Sequence, residues 1–313
     1  MQIITDEIDY LKYLQEAGDS PIRPASDWRE GVKQRLNGEQ EQIGDRMPWG
    51  KTHKFVLLRP GEVSVWAGIN GHGKSQILGQ VSSWCMKGSK WLIASMEMKP
   101  EASLARMARQ VAGAAHPSGD WIDRMIDWTD SRLWIYDQID TVASDRILGM
   151  VHYAAQELGI NHIVIDSLMK CGIGPDDYAK QKAFVDRLCW AAKAEDIHIH
   201  LVHHIRKGEK EGKIPDKFDI KGAGEITDLV DNVFIVHRNK EKEKKARMIE
   251  SGPEDQATKA AKLEELAPQP DTQLICAKQR HGEFEGAFSL WFHPASQQFT
   301  PTKENVPMPL ALG

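Results

Sequence analysis

The residues with the clearest chemistry are Gly68, Asn70, Gly71, His72, Gly73, Lys74, Ser75 and Gln76, in the stretch "GINGHGKSQ". Gly68 and Gly73 bracket four residues and are followed by Lys-Ser, the G-x-x-x-x-G-K-[ST] spacing of a phosphate-binding loop. Successive backbone N–H groups can cradle phosphates where no Cβ intervenes, and the helix that follows adds a field favourable to anions. Lys74 can then reach the β- and γ-phosphates, and the Ser75 hydroxyl can hold a magnesium ion. The expected ligands are ATP, or another NTP or dNTP, and Mg2+. A chance match in a glycine-containing turn is the competing reading. The apolar "GEVSVWAG" before the loop and the helical 74–87 after it weigh against chance.

Four other features bear on what such a loop would do. Asp166 ends the very apolar "HIVID", where a carboxylate can bind the same magnesium. Glu97 follows the strand "KWLIAS". That strand should lie beside the one entering the glycine loop, so that Glu97 can orient and deprotonate an attacking water; a glutamate opening a helix serves equally well as an explanation. His204 ends "IHIHLVHH" and can hydrogen-bond a γ-phosphate, whereas His203 points to the opposite side of the strand. The same run, with His198 and His200, invites a zinc reading, but only three of these can share a face and no nearby cysteine completes a site. Lys278 and Arg280 in "AKQRHG" share one side of a strand. A paired Lys and Arg could reach a phosphate on a neighbouring subunit, although a solvated edge strand explains them slightly better on physical grounds alone.

These residues need elements to hold them. Strand-like runs at 61–68, 90–97, 132–137, 161–167 and 197–204 alternate with helical runs at 74–87, 101–113, 143–159 and 180–196. In 143–159, Ile147, Met150, Val151, Ala154 and Leu158 recur at helical spacing, and Gly159 stands where a C-cap belongs. Alternation of this kind predicts an α/β fold with a mostly parallel central sheet flanked by helices. After residue 230 the strands "DNVFIVHR", "TQLICAKQR", "GAFSLWF" and "QQFT" follow without alternating helices, predicting antiparallel additions near the C-terminus. Residues 239–271 read as a charged surface insertion with a short helix near 256–266, and "KEKEKK" as a solvated run. Residues 1–50 read as an N-terminal arm or linker with a short helix near 8–17. Residues 51–300 form the main domain and 301–313 a tail.

The formal net charge of −5 over 313 residues excludes a generally basic nucleic-acid surface, so any such contact is local. Cys85, Cys171, Cys189 and Cys276 lie far apart, which argues against a disulfide framework or zinc ribbon and fits a reducing compartment. The acidic start is unlike a signal peptide, and no apolar run is long enough to span a membrane.

Taken together, "GEVSVWAGINGHGKS", "IASMEM", "HIVIDSLMKCG", "LVHHIRKGEKEG", "DIKGAGEITDLVDNVFIVHRNK" and "AKQRHGEFEGAFSLWF" resemble, in this order over 61–292, the RecA-like motor domain of hexameric replicative helicases: the DnaB type, bacteriophage primase–helicases and Twinkle. The resemblance implies a RecA-like P-loop NTPase fold and a DNA helicase that hydrolyses NTP at the subunit interfaces of a ring-shaped homo-oligomer, a hexamer, moving 5′→3′ on single-stranded DNA. It implies roles residue by residue. Lys74 and Ser75 bind triphosphate and magnesium, Asp166 is the Walker-B acid, and Glu97 is the general base. His204 is the phosphate sensor, a histidine there being more like the phage and Twinkle branch. Arg280, with Lys278, is the arginine finger acting on the adjacent subunit's nucleotide, and Arg238 and Phe292 hold the base. A separate primase or polymerase is a candidate partner, no primase, zinc-binding or DnaB-like N-terminal domain being read ahead of the motor, and the implied location is the cytoplasm of a bacterial cell, with a phage or prophage gene. Directly after His204, the loop carrying Arg206, Lys207, Lys210 and Lys213 would make a positive funnel for single-stranded backbone at a ring's centre, although nearby acids offset much of its charge. The rival class is a RecA-like DNA-dependent ATPase that is not a helicase: a recombinase, mediator or regulator.

Overall fold

The computed structural model describes residues 2–4, 9–14, 24–36, 43–174, 176–205, 214–220 and 223–312. Its strands are β1 (Gln2–Ile4), β2 (Val63–Gly68), β3 (Trp91–Ser95), β4 (Leu133–Tyr136), β5 (His162–Asp166), β6 (His198–His204), β7 (Asn232–Arg238), β8 (Thr272–Gln279), β9 (Gly286–His293) and β10 (Gln298–Thr300). Its helices are α1 (Arg29–Leu36), α2 (Lys74–Cys85), α3 (Pro100–Ala112), α4 (Gly119–Thr129), α5 (Ser144–Leu158), α6 (Tyr178–Ala194), α7 (Ala223–Leu229), α8 (Lys240–Ser251) and α9 (Gln256–Leu266).

The strands form one ten-stranded sheet in the order β1-β4-β3-β5-β6-β2-β7-β8-β9-β10. Pairings from β1 through β7 are parallel, and those of β7 with β8, β8 with β9 and β9 with β10 are antiparallel. β2, β3, β4 and β5 are buried on both faces, which explains their near-continuous apolar sequences. Along β2, Val63, Val65 and Ala67 face one core with α5 and α6, while Trp66 faces the other with α2 and α3. Gly159 ends α5 with φ 64, the left-handed conformation expected of a C-cap glycine.

The strand order corrects one expectation. β3 does not lie beside the glycine-loop strand β2; β5 and β6 stand between them. Alternation of strand and helix sets parallel direction but leaves strand order open. Four helices were also absent from the sequence reading: α1 lies in the stretch read as an arm, and three more lie further on. α4 carries Trp121, Met125 and Trp128 behind a Ser118 cap, α7 precedes β7, and α8 makes the insertion a pair of helices with α9. "KEKEKK" is therefore not merely solvated: it opens α8, where Lys242 pairs with Asp271 at 2.7 Å and Glu243 pairs with Arg238.

Both ends of the chain touch this body. β1 adds a strand beside β4, Tyr10 is buried against Tyr136 and Tyr153, and Met47 and Trp49 lie in the core beside α2. A Cβ on Gly149 of α5 would collide with the Tyr10 carbonyl oxygen. At the other end, Leu310 N–H donates to Val111 O at 2.7 Å. Among the described residues, no helix is long and apolar enough to cross a membrane.

Candidate active site

The glycine loop turns between β2 and α2. Gly68 is required by close approach, because a Cβ there would lie 2.7 Å from Val236 O; Gly73, with φ 92, is the left-handed N-cap of α2. Asn70 and Gly71 are exposed at the tip, and His72 is buried beside them. Burial, together with the positive groups His237, Lys240, Lys74 and Arg238, holds the His72 pKa down at about 4, so its Nδ1 remains free to accept the Arg238 N–H at 3.1 Å. Lys74 is buried, with Nζ donating to Gly68 O at 2.8 Å and Ile69 O at 3.3 Å, and burial lowers its pKa. The ammonium is curled onto its own loop.

Sheet register brings the remaining groups alongside. Gly68 pairs with His204, and Ser95 with Asp166, so the ends of β2, β6, β5 and β3 open on one edge. Ser75 Oγ donates to Asp166 Oδ2 at 2.5 Å. Burial raises the Asp166 pKa, and Ser75, Lys74 and Arg106 offset part of that. Glu97 Oε1 accepts from Ser167 Oγ at 3.0 Å and lies 4.0 Å from His204 Nε2, while His204 Nδ1 is 3.4 Å from Lys74 Nζ. Glu97 thus reaches the loop although β3 is not next to β2. Just past β3, Met96 N–H is anchored on Asp166 O at 3.0 Å, and the Glu97 side chain spans from Ser167, after β5, to His204, at the end of β6. Ser75 and Asp166 set two hard oxygen donors together, the donor chemistry of magnesium.

Beside the loop, Gln76, His72, Arg238 and Phe292 line a cavity of about 340 Å³, with Arg238 Nη1 on Gly71 O at 3.2 Å. Arg238 and Phe292, 54 residues apart, are therefore brought to the loop together.

Lys278 and Arg280 are not brought there. Lys278 pairs in register with Val233, level with Val65 and three residues short of Gly68, so it lies ~10 Å back along the strands from the start of the loop at strand rise. Lys278 Nζ donates to the carbonyls of Thr227 (2.6 Å), Asp228 (3.1 Å) and Val230 (2.8 Å). Arg280 Nη2 donates to Leu229 O at 2.9 Å, and its Nε lies 3.3 Å from Asp231 Oδ1. Arg206, Lys207, Lys210 and Lys213 lie outside the described residues; the chain leaves from Ile205, which bridges Ile220.

The zinc reading is excluded at His198 and His200 by their partners. His198 uses Ser64 Oγ (2.8 Å) and Arg59 O (2.6 Å), and His200 uses Trp66 Nε1 (3.1 Å) and His162 (3.1 Å). No ring nitrogen of the two is left for a metal, and no group of three or more ligating side chains is placed to hold one among the described residues.

Two site residues were missed by sequence. Ser167 orients Glu97, and its place directly after Asp166 was a usable signal. Arg106 on α3 extends toward Asp166, with Nη2 2.7 Å from Met98 Sδ. Nothing in a helical pattern separates such an arginine from one facing solvent.

Residues 39–210, more than half the chain, match the family described as "AAA domain". The chain is 24% identical over 217 residues to a DNA helicase/primase of Enterobacteria phage T3, and 22% identical over 220 residues to the chloroplastic/mitochondrial Twinkle homolog protein of Arabidopsis thaliana. These alignments span 61% and 64% of the chain but only 38% and 31% of those proteins. A solved ATPase domain superposes with a TM-score of 0.70 at 15% identity, covering 90% of this chain and 99% of that one. A DnaB-like replicative helicase, solved in a study of its interactions with primase, also gives 0.70 at 15% identity, over 88% of this chain and 68% of that one. The resemblance to DnaB-type motor domains is thus borne out, as is the RecA-like fold, and the chain belongs to the AAA domain family with the architecture of the DnaB-like helicase ATPase domains.

Proposed function

We propose that this chain is the ATP-hydrolysing motor of a replicative DNA helicase, working at the interfaces of a ring of identical subunits, a hexamer, on single-stranded DNA. The observation that carries the reading is the meeting of Lys74, Ser75, Asp166, Glu97 and His204 on one edge of the sheet. The names of the two relatives favour a helicase over a recombinase or regulator.

In this reading the loop N–H groups and Lys74 bind the β- and γ-phosphates. Ser75 and Asp166 would hold a magnesium ion, which would supply charge neutralisation there. Glu97, oriented by Ser167, takes the proton of the attacking water. Arg238 and Phe292 hold the base. His204 lies between Lys74 and Glu97 and is followed directly by Ile205, where the chain enters the segment bearing Arg206, Lys207, Lys210 and Lys213. Loss of the γ-phosphate at His204 therefore reaches a DNA-contacting segment through one residue. Lys278 and Arg280, too distant to serve their own loop, act on the nucleotide of the next subunit, where such a finger contributes a factor of about 10³–10⁵ in rate.

Mixing tests this reading. Lys74→Ala subunits keep the finger and lose the loop; Arg280→Ala subunits keep the loop and lose the finger. Each alone should be inactive, and the mixture should regain phosphate release and separation of a forked duplex. Absence of any regain, with both variants assembled, would count against a shared site.

A further inference from the structure

The insertion is more than a surface excursion, because one face of it closes the cavity beside the glycine loop. Glu243, Ala246 and Arg247 of α8, spaced as neighbours on a helix face, line this cavity opposite His72 and Gln76, with Phe292 and Phe299 below. The volume, about 340 Å³, is at the small end for a ligand pocket and suits a nucleobase. α8 buries none of its own residues, so packing does not explain its position. Its stem does. Asn239 N–H donates to Asp271 O at 2.8 Å, and Lys242 Nζ reaches Gln269 O at 2.6 Å and Asp271 Oδ1 at 2.7 Å. Asp271 Oδ2 in turn accepts from Phe292 N–H at 2.9 Å, and Trp291 Nε1 donates to Ala267 O at 2.9 Å. The strand that presents Phe292 is thus tied to the same stem.

Within the cavity, two guanidiniums share one carboxylate. Arg238 Nε donates to Glu243 Oε1, and Arg247 Nη2 lies 3.9 Å from Glu243 Oε2. Arg238 is therefore held at both ends, by Gly71 O and by Glu243, and the carboxylate fixes the plane of its guanidinium. A planar, immobilised guanidinium stacks on an aromatic face; a free one must first be ordered.

We infer that α8 is the outer wall of the nucleotide's base pocket, and that Glu243 is the positioning residue that orients Arg238 for stacking on the base. This rests on the nucleotide reading of the glycine loop, and the test separates the two. Calorimetry of the full chain would compare ATP with inorganic tripolyphosphate, which has phosphates but no base. Glu243→Ala should weaken ATP about tenfold, the scale of one desolvated cation–π contact, and leave tripolyphosphate within about twofold. Glu243→Gln, which keeps an acceptor for Arg238 Nε, should recover part of the loss. Replacing 240–270 by a short Gly-Ser linker should abolish the preference for ATP over tripolyphosphate. Unchanged ATP affinity in Glu243→Ala, or equal weakening of both ligands, would overturn the inference. If the native chain bound neither ligand, the nucleotide reading would fall and take this inference with it.

Discussion

Asp166 and Glu97 are both acidic groups of the same site, yet one is buried and the other substantially exposed. Asp166 is buried, and its pKa is raised chiefly by that burial. A carboxyl whose folded pKa lies above its unfolded value adds stability while protonated and loses it as pH rises through the folded pKa. At neutral pH the buried charge therefore costs stability in the nucleotide-free protein. Asp166→Asn should raise its melting temperature by about 2 °C, the equivalent of ~1 kcal/mol in a chain of this size, while stopping hydrolysis. Glu97, whose side chain is 43% exposed, should behave differently. Glu97→Gln should leave the melting temperature within about 2 °C and reduce phosphate release by about 10²–10⁴. A fall in melting temperature for Asp166→Asn would contradict this account. At this scale the sequence was most informative where chemistry restricts the residue type. Gly68 and Gly73 occupy positions that a Cβ would clash at or strain, and Asp166 ends its strand as expected. Arg106 was not legible, because its relevance lies in which way α3 happens to face.

At the scale of elements, β6 combines an end beside the glycine loop with a buried polar middle. His198 and His200 are buried, bonded at both ring nitrogens, and stacked with His162 and Trp91. Burial and the neighbouring imidazoles hold His198 down at about 3 and His200 well below its ordinary value. The unfolded chain takes up these protons below pH ~6.5, while the folded chain does not until far lower pH, so stability falls on acidification through that window. Each such histidine should contribute a slope of about 1.4 kcal/mol per pH unit below pH ~6. Urea unfolding between pH 7 and 5 should show a falling midpoint, less steep in His198→Asn; a midpoint independent of pH would refute it. Elements with an apolar face were readable, as α5 shows with Ile147, Met150, Val151 and Ala154. α8 has no buried residue and so no apolar period to detect; tertiary ties at its stem hold it, and these involve residues as distant as Asp271. α4 had such a face, but lay in a stretch where Gly113, Pro117 and Gly119 suggest turns.

For the molecule as a whole, the sequence reveals a parallel sheet with an antiparallel extension, because alternation and its loss are both visible along the chain. It does not reveal that β5 and β6 separate β3 from β2. That order depends on which strand edges meet, and each of these apolar strands could pair with several others. The amino-terminal turn is attached to this body by a fit that tolerates very little. Position 149 is a notch: any side chain there would occupy the place of the Tyr10 carbonyl, since its first carbon alone would already overlap that oxygen. Gly149→Ala is thus a one-carbon wedge that should expel the turn while leaving the glycine-loop edge of the sheet intact, with Tyr10 becoming accessible to solvent, read by its fluorescence, and the amides of the glycine loop keeping their exchange protection. Detaching the turn this way would reveal, by sedimentation, whether the leading segment serves only its own chain or also the proposed assembly.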